Sequence, residues 1–208
     1  LTPATDAVLK NPPAGDWLLW RRTYDDLGFT PMKQIDKSNV GDLRVAWAWT
    51  LPEGPNEATP LVRDGVIFVH SFGDRVQADD GANGDLLWQY AYKLPEGARP
   101  SVKRNMAIGG NLLFVPTSDM HMVALDMKTG RVVWDHMIAD YAGGWGMTAG
   151  PLYAKGKVIQ GIAGARVQAG SGVLAGHDVG VQPAGDHGDG AGPGVGPAFP
   201  EPGVHHRH

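Results

Sequence analysis

A repeat limits what this chain can fold into more than any other feature. Ala78, Asp80, Gly84 and Trp88 recur as Ala124, Asp126, Gly130 and Trp134, every pair 46 residues apart. Four matches at one offset mark a structural unit used more than once. Each copy has the same setting: an apolar run (Gly65 to Val69; Asn111 to Val115), a polar turn, a run ending in Ala-x-Asp, a glycine-containing turn and a run ending in tryptophan. Short apolar runs bounded by turn formers read as strands. In Met127-Lys128-Thr129-Gly130 the glycine suits a chain reversal, and Asp126 can accept from the free N–H groups of the turn. The tryptophan is expected to pack between adjacent units. A period in the forties with four-stranded units implies a β-propeller, whose blades bury their faces against one another and cannot stand alone. The expected fold class is all-β, a partial β-propeller of about three blades.

Composition agrees with many short strands and tight turns: thirty glycines, sixteen prolines and seven tryptophans in 208 residues. The formal net charge of -4 argues against nucleic acid or an anionic membrane surface as a partner. No apolar run approaches the roughly eighteen residues of a membrane span, and the absence of cysteine leaves no disulfide to indicate a compartment.

Along the chain three parts are expected: an N-terminal arm over 1–44, blades over 45–165 and a low-complexity tail over 166–208. The arm reads as irregular from 1 to 35, anchored by aromatic residues such as Trp17, Trp20, Tyr24 and Phe29. Asp36-Lys37-Ser38-Asn39 offers capping side chains for a helical turn from Val40 to Leu43, ahead of a first strand at Val45-Ala46-Trp47-Ala48-Trp49. A third unit begins at Gly150-Pro151-Leu152 and Gly156-Lys157-Val158-Ile159 and reaches Gly176-His177-Asp178. It then fails, with Gln182 in the place of Gly130 and Asp186 in the place of Trp134.

The failure coincides with a change of composition. Residues 166–208 have no Ile, Trp, Tyr, Lys, Thr, Asn or Met, yet hold eleven glycines and five of the eight histidines. Such a stretch cannot bury a core. Its bias is that of a GC-rich gene translated out of frame, so we expect the true frame to be lost near residue 165, a natural disordered tail being the alternative. In that tail His205-His206-Arg207-His208 lacks the fixed geometry of a metal site. Gly143-Gly144-Trp145-Gly146 is not followed by the Gly-Lys-Ser/Thr of a phosphate loop. Met120, Met122 and Met127 suit core filling better than metal ligation.

Trp20-Arg21-Arg22-Thr23-Tyr24, Asn39-Val40-Gly41-Asp42-Leu43, Asn56-Glu57-Ala58-Thr59-Pro60-Leu61-Val62 and the Ala-x-Asp-x-x-x-Gly-x-x-x-Trp repeats together resemble the start of the methanol/ethanol family of PQQ-dependent dehydrogenases. The resemblance runs from about residue 16 to 164. It implies an eight-bladed propeller with pyrroloquinoline quinone (PQQ) and Ca²⁺ on its axis, oxidising an alcohol in the periplasm and passing electrons to cytochrome c or a membrane quinone. It further implies that Glu57 contacts the cofactor, that Arg104 reaches the quinone oxygens as a fixed cation, and that the Thr148 hydroxyl bonds a cofactor carboxylate. Taken alone, these residues would read as a solvated carboxylate, a surface charge and a turn former. Their position ahead of three consecutive blades is what brings them together.

The departures from the family are equally specific. Many members stack the quinone on a disulfide just before the arginine, where this chain reads Ser101-Val102-Lys103. The Ca²⁺-ligating glutamate would fall at Ala165-Arg166, so no metal ligand is assigned. No position matches the family's general base, and the isolated chain is expected to be inactive. Unpaired edges of a partial propeller are expected to favour aggregation. The competing reading is a non-catalytic propeller-type module for protein interaction, which would not bind PQQ.

Overall fold

In the computed structural model, which describes residues 1–164, two four-stranded antiparallel sheets follow one another, and half of a third comes after them. The first is β1 (Leu61–Arg63), β2 (Val66–Ser71), β3 (Arg75–Asp80) and β4 (Leu86–Ala91). The second is β5 (Ala107–Gly109), β6 (Leu112–Pro116), β7 (His121–Asp126) and β8 (Val132–Met137). Strands β9 (Leu152–Ala154) and β10 (Lys157–Ile159) begin the third. Strand order in each complete sheet is sequential, as in a propeller blade. The later positions of the third repeat and the whole 166–208 tail lie outside the described residues.

The 46-residue offset is also an offset in space. Phe68 faces Trp88 with ring centroids 5.9 Å apart, and Phe114 faces Trp134 at 5.8 Å. Asp126 Oδ1 accepts from Lys128 N (3.1 Å) and Thr129 N (2.8 Å), closing the turn between β7 and β8 as the sequence requires. Each tryptophan lies within its outer strand rather than at the end of it, opposite Ala78 or Ala124, where the register shifts by one residue. Such a bulge bends the outer edge of the sheet. The β1–β2 connection, Asp64-Gly65, has φ of 49° and 79°, the paired left-handed turn that matches strand twist. The core lies between sheets and is made of Phe68, Val76, Ile108, Leu113, Phe114, Val123 and Leu125, with Met122 and Met127 filling gaps. Tyr153 of the third sheet stacks on Phe114 at 5.6 Å and 10°.

The arm differs from its sequence reading in two respects. It contains a short helix, α1 (Asp6–Lys10), capped by the Thr5 hydroxyl, and its anchors are as much polar as aromatic. Arg63 of β1 forms a buried ion pair with Asp16 and donates to Thr2 O at 3.2 Å. Bridges join Trp17 to Val62 and Ala4 to Gly110, and the Tyr24 hydroxyl donates to Tyr153 O at 2.7 Å, so the arm touches all three sheets. Leu9, Leu18 and Leu19 are buried, whereas Trp20 and Phe29 are exposed. The expected helical turn is a 3₁₀ turn over Val40–Asp42.

No strand forms at Val45–Trp49, contrary to expectation. A strand needs a ladder partner, and among the described residues this segment has none. Trp47 instead donates to Gly81 O (3.1 Å) and lies on Gly84, just as Trp88 donates to Met127 O (3.0 Å) and lies on Gly130. Since Gly81 and Gly84 are the 46-residue counterparts of Met127 and Gly130, Trp47 is the outer-strand tryptophan of one more blade position. The signal was present in the repeated Leu-Pro-Glu-Gly at 51–54 and 94–97, a few residues after each tryptophan.

Candidate functional site

Three lead-in segments, ahead of β1, β5 and β9, lie side by side. Thr59 N donates to Arg104 O at 3.2 Å, and Arg104 N donates to Thr148 O at 3.2 Å. These rungs place Arg104 in the middle of the row. Pro60 and Pro151, just before β1 and β9, lack the N–H that would continue a ladder, which keeps these segments extended without making them full strands.

The Glu57 carboxylate approaches the Arg104 guanidinium at 3.3 Å, the two side chains being 49% and 54% exposed. An ion pair this open contributes about 1 kcal/mol or less, so the guanidinium can turn to an incoming anion at little cost. Thr148 is half-buried beside them. The structure thus joins Glu57 to Arg104 through side chains and Arg104 to Thr148 through the backbone. The three residues lie on adjacent lead-in segments, with the side-chain contact made by Glu57 and Arg104. On the arm side Arg104 also borders a cavity of about 390 Å³, lined by Trp20, Tyr24, Asn105 and Gly150 among others. The Asn105 carboxamide oxygen is buried there without a partner.

Several polar residues close to this row carried no signal in the sequence. Lys103 is buried, and its ammonium group donates to Ser101 Oγ and, at 3.3 Å, to Ser118 Oγ. Ser101-Val102-Lys103, the place where the resemblance implies a disulfide in many members, therefore holds a buried cation. Asp74 lies 3.9 Å from the Lys103 ammonium and accepts from Ser118 N at 2.7 Å. Burial pushes the Lys103 ammonium down and the Asp74 carboxyl up from their ordinary values, and each charge opposes the shift of the other. His70 is 4.0 Å from Asp74, but burial, with the Lys103 charge adding to it, brings the imidazole down to about 3, so this contact is not an ion pair at neutral pH. Lys103 lies in the lead-in to β5, Asp74 in the β2–β3 turn and His70 in β2, and their counterparts 46 residues on, Ala149, Met120 and Pro116, are of other types, so the repeat could not have revealed them.

Residues 17–179 match the family described as "PQQ: Glucose/ethanol/alcohol dehydrogenase, beta-propeller domain". Quinohemoprotein alcohol dehydrogenase ADH IIB of Pseudomonas putida is 42% identical over 157 residues, which are 73% of this chain and 23% of that protein. The dehydrogenase subunit of an alcohol dehydrogenase (quinone) of Gluconacetobacter polyoxogenes is 36% identical over 162 residues, 72% of this chain and 22% of that one. Among solved structures, a europium-containing methanol dehydrogenase superposes with a TM-score of 0.71 at 29% identity, covering 76% of this chain and 29% of that one. The chain spans about a quarter of the length of the curated relatives it matches.

Proposed function

The chain belongs to the PQQ-dependent glucose/ethanol/alcohol dehydrogenase family of β-propellers, and from that membership we propose that Glu57, Arg104 and Thr148 form one side of a PQQ site serving alcohol oxidation. The observation that carries this reading is the position of Arg104, bonded through its backbone to the lead-ins of both neighbouring sheets while its guanidinium stays half exposed beside Glu57. The donor set suits an anionic, planar quinone. Arg104 supplies a fixed, delocalised cation that can hold a quinone oxygen in a forked hydrogen bond and stabilise the negative charge that grows there. Glu57 orients the guanidinium and can accept from a ring N–H. The Thr148 hydroxyl can donate to a carboxylate. Bound PQQ would supply the two-electron acceptor for the alcohol.

Ca²⁺ is proposed as the accompanying cation. Among the described residues no group of three His, Cys, Asp or Glu is placed to hold a metal ion, so no ligand is assigned and no step is routed through one. No general base is assigned either. Cytochrome c or a membrane quinone as electron acceptor is part of the same proposal, supported by the quinohemoprotein and quinone-linked relatives, and so is a periplasmic location, which rests on the family resemblance alone. No helix among the described residues is long and apolar enough to cross a membrane.

The test is a titration of the full chain with PQQ and CaCl₂, followed by quinone absorbance. A shift in the parent that is lost in Arg104→Ala supports the assignment. An unchanged spectrum on folded chain, or binding by Arg104→Ala as tight as by the parent, overturns it.

A further inference from the structure

Lysine is almost never fully buried unless it is paired, yet the Lys103 side chain is 3% exposed and the carboxylate facing it, Asp74, is 0% exposed. What these charges hold together is informative. Asp74 belongs to the β2–β3 turn of the first sheet, where it has a φ of 52°, and its Oδ2 accepts from Ser118 N in the β6–β7 turn of the second sheet. The Lys103 ammonium reaches back to Ser101 Oγ and across to Ser118 Oγ. Beside Ser118, Asp119 accepts from Thr117 Oγ1 (2.6 Å) and from the Tyr92 hydroxyl (3.0 Å), and Tyr92 N donates to Asp74 O (3.1 Å). One buried cation therefore joins the lead-in to β5 to turns from two successive sheets. In extended backbone, adjacent side chains point to opposite sides. Lys103 accordingly points into the space between sheets, while Arg104 points out beside Glu57.

Burying two charges is costly, and apolar residues of similar size would commonly serve stability as well or better. A buried pair at this location is better explained by the geometry it specifies. We propose that Lys103 is a positioning residue, whose buried ammonium group locks the β5 lead-in against the Asp74 and Ser118 turns and thereby sets the direction of the Arg104 guanidinium. The inference rests on the reading of Arg104 as a cofactor contact, and the measurements below separate the two.

Removing one charge strands the other and can unfold the chain, so the deciding variant is the double substitution Lys103→Met with Asp74→Asn, which removes both members of the pair together and leaves the nearby Asp119 its hydrogen bonds from Thr117 and Tyr92. Two readouts on the full chain are needed: hydrogen exchange at the Arg104 amide, with the Val123 amide of β7 as the internal reference, and PQQ affinity by absorbance titration. We expect Arg104 exchange to rise about tenfold relative to Val123 as the lead-in loosens, and the PQQ dissociation constant to rise about tenfold as the guanidinium loses its orientation. Arg104 protection equal to that of the parent, or lost only in step with Val123, overturns the positioning role whatever the affinity does. If Arg104 loosens selectively while the parent chain itself binds no PQQ, the positioning role stands and the cofactor assignment fails. If the parent binds PQQ and the double variant keeps both parental affinity and parental Arg104 protection, the assignment stands and the positioning role fails.

Discussion

The indole of Trp88 lies directly on the backbone of Gly130, so close that a β-carbon added to the glycine would fall 2.5 Å from the ring. Gly130 also has a φ of 68°. Both conditions recur at Gly84, where the added β-carbon would be 2.7 Å from Trp47 and φ is 78°. Trp88 of the first sheet thus covers a turn glycine of the second, and Trp47, though in no strand, covers the matching glycine of the first.

Gly130→Ala should destabilise the chain by about 1–3 kcal/mol, since it adds overpacking to a left-handed strain that alanine tolerates poorly. Urea denaturation followed by tryptophan fluorescence would measure it. Gly65→Ala, where φ is also positive but the space is open, should carry the backbone cost alone and lose less.

The Arg63–Asp16 pair is buried on both sides and holds the arm to β1. Asp16→Ala leaves the buried Arg63 guanidinium with Asp64, 3.7 Å from its Nε, as its remaining carboxylate, and should cost about 3 kcal/mol. The same variant should become sensitive to limited proteolysis within the first twenty or so residues, before cleavage appears in the sheets. Equal cleavage rates in variant and parent would show that the arm is held mainly by its leucines.

His70 makes stability depend on pH. Burial holds its imidazole at about 3 in the folded chain, against 6.5 when unfolded. Above pH 6.5 the ring is neutral in both states and no penalty exists. As pH falls from 6.5 toward 3 the unfolded chain takes up a proton that the folded chain refuses, so stability is lost progressively. At pH 5 the loss should be about 2 kcal/mol relative to pH 7. His70→Gln should remove that part of the pH slope, which denaturation midpoints at the two pH values would reveal.

Glu57→Gln separates a surface role from a site role. Because the pair with Arg104 is half exposed, the unfolding free energy should change by less than about 1 kcal/mol. PQQ affinity should fall clearly, since the proposed site loses the carboxylate that accepts from the cofactor's ring N–H. Unchanged affinity would reduce Glu57 to a solvated carboxylate.

The repeat made the strands, their turns and the interlocking tryptophans legible, because each depends on residues a fixed number of positions apart. Phe68, Trp88 and Gly130 could be placed that way. Glu57, Arg104 and Thr148 were legible only through resemblance; nothing in their local sequence distinguishes them from surface residues. The burial of Lys103, Asp74 and His70 was not legible, since each is a single polar residue, in a lead-in, a turn and a strand respectively, whose counterpart 46 residues on is of another type.

Local patterning settled the blade unit of this protein: strand length, turn chemistry and the tryptophan–glycine joint are all matters of spacing along the chain. Tertiary structure alone decided which unlike segments meet. The Val45–Trp49 run has every preference of a strand yet forms none, because pairing depends on a neighbour rather than on propensity. The placing of Arg104 between Thr59 and Thr148, and the burial of Lys103 against Asp74, likewise arise only when turns from separate sheets close on one another. Such contacts depend on the packing angle between sheets, a quantity no stretch of sequence carries.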